Sequence, residues 1–227
     1  MGAFMYNPRA MNIKPYDLVI FDCDGTLVDT EPLANQVYVE LLEEYGFQVD
    51  TEAYLHEFAG MYLHDRLAVT SRKLNWTPPA EFVPQFHQRL SALTEREMRT
   101  VPGVESLIDS LSVPICVASN GSRDEISLRL RLSRLTERFG DAIFSGADVP
   151  HPKPAPDVYL AAAQAFDVDP ARCIAVEDSL PGVRAGVRAG MTVYGYAALT
   201  DPQRLEQAGA IPFQSMRELQ GILERIN

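Results

Sequence analysis

The chain has 227 residues, of which 46% are apolar and 22% charged, a composition that supports a packed globular core. Its 31 acidic and 20 basic residues give a net charge of −11, which argues against nucleic acid or an anionic membrane as a partner. No apolar run reaches the length of about 18 residues that indicates a membrane span, and no signal-peptide pattern is present. With only three cysteines, an odd number, we expect no disulfide framework and a reduced, cytoplasmic protein.

Short apolar runs predict five β-strands along the chain. They lie at 17–21, 113–118, 142–144, 173–176 and 192–196. Their nearly continuous apolar character is typical of parallel strands that are covered on both faces. Helical patterns at 104–111, 125–137, 156–166 and 181–189 separate the later strands. This alternation predicts an α/β fold with a Rossmann-like, doubly wound parallel sheet.

The segment between the first two strands has a different pattern. It contains no convincing strand, and helices are predicted at 32–45, 52–58, 65–74 and 79–98. Roughly seventy helical residues are too many for an ordinary crossover between parallel strands. We therefore predict an inserted all-helical cap domain over residues 31–99. Residues 1–30 and 100–227 would form the core domain, with hinges at 29–32 and 100–103.

Polar side chains follow four of the predicted strands, at the sheet edge where ligands bind in this type of fold. They are Asp22 and Asp24, then Ser119 and Asn120, then Lys153 in the loop HPKPAPD, and finally Glu177 and Asp178. Several carboxylates gathered at one edge are costly to bury unless a cation neutralises them. Magnesium would let Asp22, Asp24 and Asp178 stay ionised close together, because it prefers carboxylate oxygens and leaves room for phosphate and water.

The remaining polar residues at this edge suit a phosphoryl group. Ser119 and the backbone N–H groups around Asn120 and Gly121 can donate hydrogen bonds to phosphate oxygens at the start of a helix. Lys153 offers a compact positive charge. It is one of only three lysines and lies between two prolines, which suggests that an ammonium group is required there.

Four segments in chain order, FDCDGTLVD, ASN, HPKPAPD and VEDSLPGVRAG, resemble the signature motifs of the haloacid dehalogenase superfamily. The predicted insertion resembles the cap of its subfamily containing phosphoglycolate phosphatase, sugar-phosphate phosphatases and β-phosphoglucomutase. The resemblance implies a Mg²⁺-dependent phosphatase acting on a small phosphorylated metabolite, with a sugar phosphate favoured, through an aspartyl-phosphate intermediate.

The resemblance also implies roles for the acidic residues. Asp22 is the nucleophile and Asp24 the general acid and base. Asp22, the backbone carbonyl of Asp24, and Asp178 bind Mg²⁺, with Glu177 as a direct or water-mediated ligand. A turn-capping role is the alternative for the first pair, and a helix cap for the second.

The second and third motifs imply the phosphate contacts. Ser119, Asn120 and Lys153 would bind the phosphoryl group, and Lys153 would also offset the charge of Asp22. A plain helix cap is the alternative for Ser119 and Asn120.

Two other functions remain open at this point. A β-phosphoglucomutase-like phosphosugar mutase would share the site, although the SNG form of the second motif is closer to sugar-phosphate phosphatases. A receiver-like phospho-accepting switch also uses an aspartate, a lysine and an acidic pair. In a receiver the acidic pair precedes the acceptor, whereas here it follows.

Two further groups of basic residues lie outside these motifs. His64, Arg66, Arg72 and Lys73 in the predicted cap are candidates to contact the non-reacting part of a substrate. Arg123, Arg129, Arg131, Arg134 and Arg138 give one helix a basic face, which we interpret as solvated and paired locally with acidic groups. The default expectation for oligomeric state is a monomer.

Overall fold

One parallel sheet organises the protein, which is described by a computed structural model over residues 15–58, 61 and 63–226. Residues 1–14 of the predicted core domain lie outside this range. The strands are β1 (Leu18–Phe21), β2 (Ile115–Ser119), β3 (Ile143–Ser145), β4 (Cys173–Glu177), β5 (Thr192–Tyr196) and β6 (Ile211–Phe213). They lie in the order β3-β2-β1-β4-β5-β6, and every neighbouring pair is parallel. The predicted α/β fold class is confirmed.

Helices cover both faces of the sheet and fill the insertion after β1. In the described part of the chain they are α1 (Glu31–Glu44), α2 (Thr51–Phe58), α3 (Leu63–Leu74), α4 (Phe82–Glu97), α5 (Val104–Ser110), α6 (Arg123–Leu132), α7 (Thr136–Phe139), α8 (Asp157–Ala165), α9 (Leu180–Arg188), α10 (Pro202–Gln207) and α11 (Met216–Leu223). None of them is long and apolar enough to cross a bilayer.

The central strand β1 shows why the apolar runs are continuous. Successive side chains of a strand point to opposite faces of the sheet. Val19 and Phe21 accordingly belong to one hydrophobic cluster, whereas Leu18 and Ile20 belong to the other. All four are fully buried. A strand with apolar clusters on both sides has no solvent face on which polar residues could alternate.

The inserted helices α1–α4 have a hydrophobic cluster of their own. It is centred on Tyr38 of α1, whose ring packs against Phe82 at a centroid distance of 5.7 Å. The Tyr38 hydroxyl donates a 2.9 Å hydrogen bond to Thr70 in α3. The two connections to the sheet meet where Val28 pairs antiparallel with Thr100. We keep the division at residues 31 and 99 as a proposal, which this pairing of the two connections supports.

Some elements differ from the prediction. The single helix expected at 125–137 is wrong, because α6 ends at Leu132 and α7 begins at Thr136. Between them Arg134 adopts the left-handed conformation with φ 59°, which a continuous helix cannot contain. Strand β6 and helices α10 and α11 were not predicted. The three residues of β6 include a proline, which weakens a strand signal.

Close packing of α9 on the sheet generates a stability prediction. A Cβ at Gly186 would lie 2.8 Å from Val193 Cγ2, whereas one at Gly221 in α11 would lie 3.5 Å from its nearest neighbour, the mobile end of Arg225. We expect Gly186→Ala to lower the free energy of unfolding by about 1–2 kcal/mol through overpacking. Gly221→Ala should raise it by about 0.5–1 kcal/mol, since alanine favours the helix. Urea unfolding measures both, and equal stabilisation of the two variants would contradict this packing.

Candidate active site

A cleft of about 190 Å³ lies at the carboxyl ends of the central strands. Six of the seven residues predicted for the site line it, namely Asp22, Asp24, Ser119, Asn120, Lys153 and Asp178. The seventh, Glu177, is fully buried beneath the cleft. The strand register explains the convergence, since Phe21 pairs with Val117 on one side and Val176 on the other. The residues that follow each strand therefore emerge side by side.

The loop after β1 turns sharply around Gly25. This glycine has φ 77°, and its N–H donates a 2.8 Å hydrogen bond to the carbonyl of Val28. A Cβ at this position would overlap the carboxylate of Asp178. Glycine is required here both for the left-handed conformation and for the close approach of Asp178. The turn thus brings the loop that carries Asp22 and Asp24 against the end of β4.

Lys153 forms the centre of the buried network. Its ammonium donates hydrogen bonds to Asp22 Oδ1 at 2.5 Å, Glu177 Oε1 at 2.6 Å and the carbonyl of Ala118 at 2.7 Å. The side chain is only 2% exposed. Burial alone would lower the pKa of Lys153, but the carboxylates of Asp22 and Glu177 raise it well above its usual value. The lysine is therefore charged and held by all three of its donors.

The loop that carries Lys153 is fixed by Asn120. The Asn120 side chain accepts a 2.8 Å hydrogen bond from the Lys153 N–H and donates one of 3.1 Å to the Lys153 carbonyl. Ser119 Oγ accepts a 3.2 Å hydrogen bond from the N–H of Gly121. The amide of Asn120 therefore positions the lysine, and Ser119 lines the cleft beside it.

Glu177 accepts three hydrogen bonds. Its Oε1 accepts from Lys153 and from the Tyr159 hydroxyl, each at 2.6 Å, and its Oε2 accepts from Ser179 at 3.1 Å. A Cβ at Gly182 in α9 would overlap this carboxylate. No sequence pattern pointed to Tyr159, whose helical position indicates only that it is buried. Glu177 is thus placed to orient Lys153.

Three carboxylates remain close together after these contacts. Asp22, Glu177 and Asp178 each offer one oxygen, and these atoms lie within 4.8 Å of one another. Asp178 Oδ1 is buried and has no hydrogen-bond partner among the described residues. Such an orphaned oxygen, beside other carboxylates, suits a divalent cation with oxygen ligands.

Burial controls the proton affinity of this cluster. It raises the pKa of Asp22 to about 8, with Glu177 and Asp24 adding to the shift and Lys153 opposing it. Burial and the charge of Asp22 also raise the pKa of Asp178 well above its usual value. The metal-free site therefore retains protons that a bound cation would displace.

Asp24 is held from two directions. Its Oδ1 accepts a 3.0 Å hydrogen bond from Thr30 Oγ1 and lies 2.6 Å from Nε of Arg129 in α6. The Arg129 side chain is only 17% exposed, so the interpretation of this arginine as part of a solvated face is wrong. Helical periodicity placed Arg129 on α6 but carried no signal for its partner, which lies about a hundred residues earlier.

The four candidate cap cations do not line the cleft in the described part of the structure. His64, Arg72 and Lys73 are exposed. Arg66 is 3% exposed, and its guanidinium lies 5.3 Å from the ring centroid of Tyr38 and 5.6 Å from that of Phe58. Arg66 is therefore part of the interior of the helical insertion and is not placed to contact a substrate directly.

The insertion contributes Glu31 and Met61 to the cleft instead. Arg66 Nη2 lies 3.6 Å from Glu31 Oε2, with the two side chains 4% and 21% exposed, respectively. Burial raises the pKa of Glu31, and the positive charge of Arg66 opposes that shift. Sequence reasoning missed Glu31, since an acidic residue in the first turn of a helix has an ordinary explanation in the helix dipole.

Replacing Lys153 tests whether its charge balance holds this region together. Lys153→Met leaves Asp22 and Glu177 buried without their cation, and we expect the free energy of unfolding to fall by about 3–5 kcal/mol in chelator. Lys73→Met is the matched control, because its partner Glu57 is 36% exposed and the pair should contribute less than about 1 kcal/mol. Urea unfolding compares them. Equal losses would show that the buried network contributes no special stability.

The sequence matches the haloacid dehalogenase-like hydrolases over residues 16–190. It is 32% identical to a 6-phosphogluconate phosphatase of Escherichia coli strain K12 over 185 residues, which cover 80% of this chain and 83% of the relative. It is 29% identical to hexitol phosphatase B of the same strain over 177 residues, covering 76% and 79% of the two chains.

Solved structures give the same likeness. A haloacid dehalogenase-like protein of unknown function from Agrobacterium tumefaciens superimposes with a TM-score of 0.86 at 32% identity. The match covers 93% of this chain and 99% of that protein. The similarity therefore extends over the sheet and the inserted helices together.

Proposed function

Because the chain belongs to the haloacid dehalogenase-like hydrolases, we propose that it is a Mg²⁺-dependent phosphatase that acts through a phosphorylated Asp22. The family match confirms the resemblance in the motifs. Membership and the phosphatase relatives identify a phosphoric monoester hydrolase, and those relatives support phosphorylated sugars as its substrates. The metal and the steps of the reaction are the parts that we add.

One observation carries the proposal. The carboxylate of Asp22 lines the cleft while Lys153 holds its Oδ1 at 2.5 Å, which leaves the other oxygen to act as a nucleophile. Ser119 and Lys153 lie along the same cleft, where the Ser119 hydroxyl can bind a phosphoryl oxygen and the positive charge of Lys153, whose donors are engaged, can attract the group electrostatically. Donors fixed before the substrate arrives stabilise developing charge without the cost of reorganisation.

The chain's own residues supply two successive displacements. An oxygen of Asp22 attacks phosphorus to form an acyl phosphate, and the bond to the sugar oxygen breaks while Asp24 gives that oxygen a proton. Asp24 then takes a proton from water, which attacks the acyl phosphate and releases inorganic phosphate and free Asp22. Thr30 and Arg129 contact Oδ1 of Asp24, so we assign both proton transfers to its other carboxylate oxygen.

The acidic cluster fits a resident Mg²⁺ ion. Asp22, Asp178 and the backbone carbonyl of Asp24 would hold it, and the orphaned oxygen of Asp178 is the observation that supports this. When bound, the ion supplies positive charge that offsets the repulsion between carboxylate and phosphoryl group. The hydrogen bonds of Glu177 favour an indirect role for that residue, through Lys153 or through water.

Magnesium binding should release protons. The metal binds ionised carboxylates, whereas Asp22 has a pKa of about 8 in the metal-free fold and is protonated below that pH. We therefore expect the affinity for Mg²⁺ to rise as the pH increases from about 5 to 8. Calorimetry in two buffers of different ionisation enthalpy measures the protons released, and Asp178→Asn should abolish the binding. An affinity that does not change with pH would contradict this picture.

Phosphate release from a panel of sugar phosphates tests the activity. We expect turnover with Mg²⁺, loss of turnover in chelator, and at least a thousandfold loss in Asp22→Asn, on the order of what removing a nucleophile costs. Added sugar bisphosphate distinguishes the mutase, which needs such an activator and returns an isomerised sugar phosphate. A protein that releases phosphate from no ester in magnesium would refute the proposal.

A further inference from the structure

We propose that Glu31 makes this site selective for phosphate esters whose remaining part is uncharged and rich in hydroxyl groups. Esters that carry a second anionic group, such as a carboxylate or another phosphate, would be disfavoured. The inference rests on the proposed phosphatase function and adds the class of substrate that the site accepts.

The composition of the cleft is the first observation. Once the residues that handle the phosphoryl group and the metal are set apart, Glu31 and Met61 are the described residues of the insertion that line the cleft. Lys153 is the one cation among the described residues that line the cleft, and its three donors are already engaged. Nothing along this described lining offers a positive charge to a second anion.

The burial of Arg66 is the second observation. Its guanidinium packs against the adjacent rings of Tyr38 and Phe58 and approaches Glu31 from the interior, so Glu31 stands between the arginine and the cleft. Burial raises the pKa of Glu31, and the positive charge of Arg66 opposes that shift and favours the ionised form. The insertion therefore presents the Glu31 carboxylate to the cleft. The positive charge of Arg66, which could attract an anion, lies behind that carboxylate.

The neighbouring chain segment fits the same conclusion. Met61 offers a thioether, which contacts apolar carbon and binds no anion.

Glu31 discriminates because a carboxylate is only an acceptor of hydrogen bonds. It can accept from the hydroxyl groups of a sugar or polyol, whereas an anionic group in the same place meets like charge in a partly buried cleft. Like-charge contacts of this kind cost enough free energy to change affinity tenfold or more.

Two substrates of matched shape test the inference. D-Sorbitol 6-phosphate and 6-phosphogluconate share their carbon chain and stereochemistry and differ at C1, which is a hydroxymethyl group in one and a carboxylate in the other. With saturating Mg²⁺, we expect kcat/KM to be at least about tenfold higher for sorbitol 6-phosphate in the parent protein. In Glu31→Gln the ratio should narrow at least about threefold, mainly through KM.

Comparison within each variant removes general effects of the substitution, because any change in folding or metal binding acts on both substrates. Glu57→Gln, an acidic residue of α2 that pairs with Lys73 at the surface, is the control and should leave the ratio unchanged. A parent protein that hydrolyses 6-phosphogluconate as well as or better than sorbitol 6-phosphate overturns the inference, and so does an unchanged ratio in Glu31→Gln. Failure to hydrolyse either compound, or p-nitrophenyl phosphate, instead overturns the proposed function itself.

Discussion

The buried contact between the Lys153 ammonium and the carboxylates around it is the constraint on which the site depends. One positive charge faces Asp22 and Glu177 directly, with Asp178 close by, so the cluster retains excess negative charge. Such an excess is unfavourable away from water unless protons or a cation compensate it. The same imbalance would favour a divalent ion, and binding of that ion would then contribute to the stability of the fold.

The backbone makes this crowding possible. Gly25 and Gly182 lie where side chains would overlap the carboxylates of Asp178 and Glu177, respectively. The parallel register at the centre of the sheet brings these carboxylates to one edge, and the two glycines let the chain close around them. The close approach of the carboxylates at the ends of β1 and β4 therefore requires both the parallel register and glycine at these two positions.

Local patterns were sufficient for five of the six strands and for the convergence of the motif residues at one edge of the sheet, but not for contacts between distant segments. Continuous apolar runs identified β1 to β5, because strands buried on both faces have few alternatives at that length. The partners of Arg129 and Arg66 could not be predicted. An arginine in a helical pattern is interpreted as solvent-exposed, and the pattern does not show whether a carboxylate from a distant segment pairs with it. Strand β6 was not predicted, because a segment of three residues that includes a proline shows little periodicity. The role of Glu177 in orienting Lys153 was inferred from its hydrogen bonds, and the spacing of residues in the sequence does not reveal such bonds.

The joining of the two connections between sheet and insertion has a mechanical consequence. Asp29 donates a 2.9 Å backbone hydrogen bond to the carbonyl of Arg99, and Val101 donates one of 3.0 Å to Leu27, so the outgoing and returning strands form a short ribbon. Rotation of the insertion about this ribbon would keep both hydrogen bonds, whereas sliding along it would break them. Glu31 follows this ribbon by only two residues. Such a rotation would therefore move the Glu31 carboxylate only a short distance. The far end of the insertion would move much further.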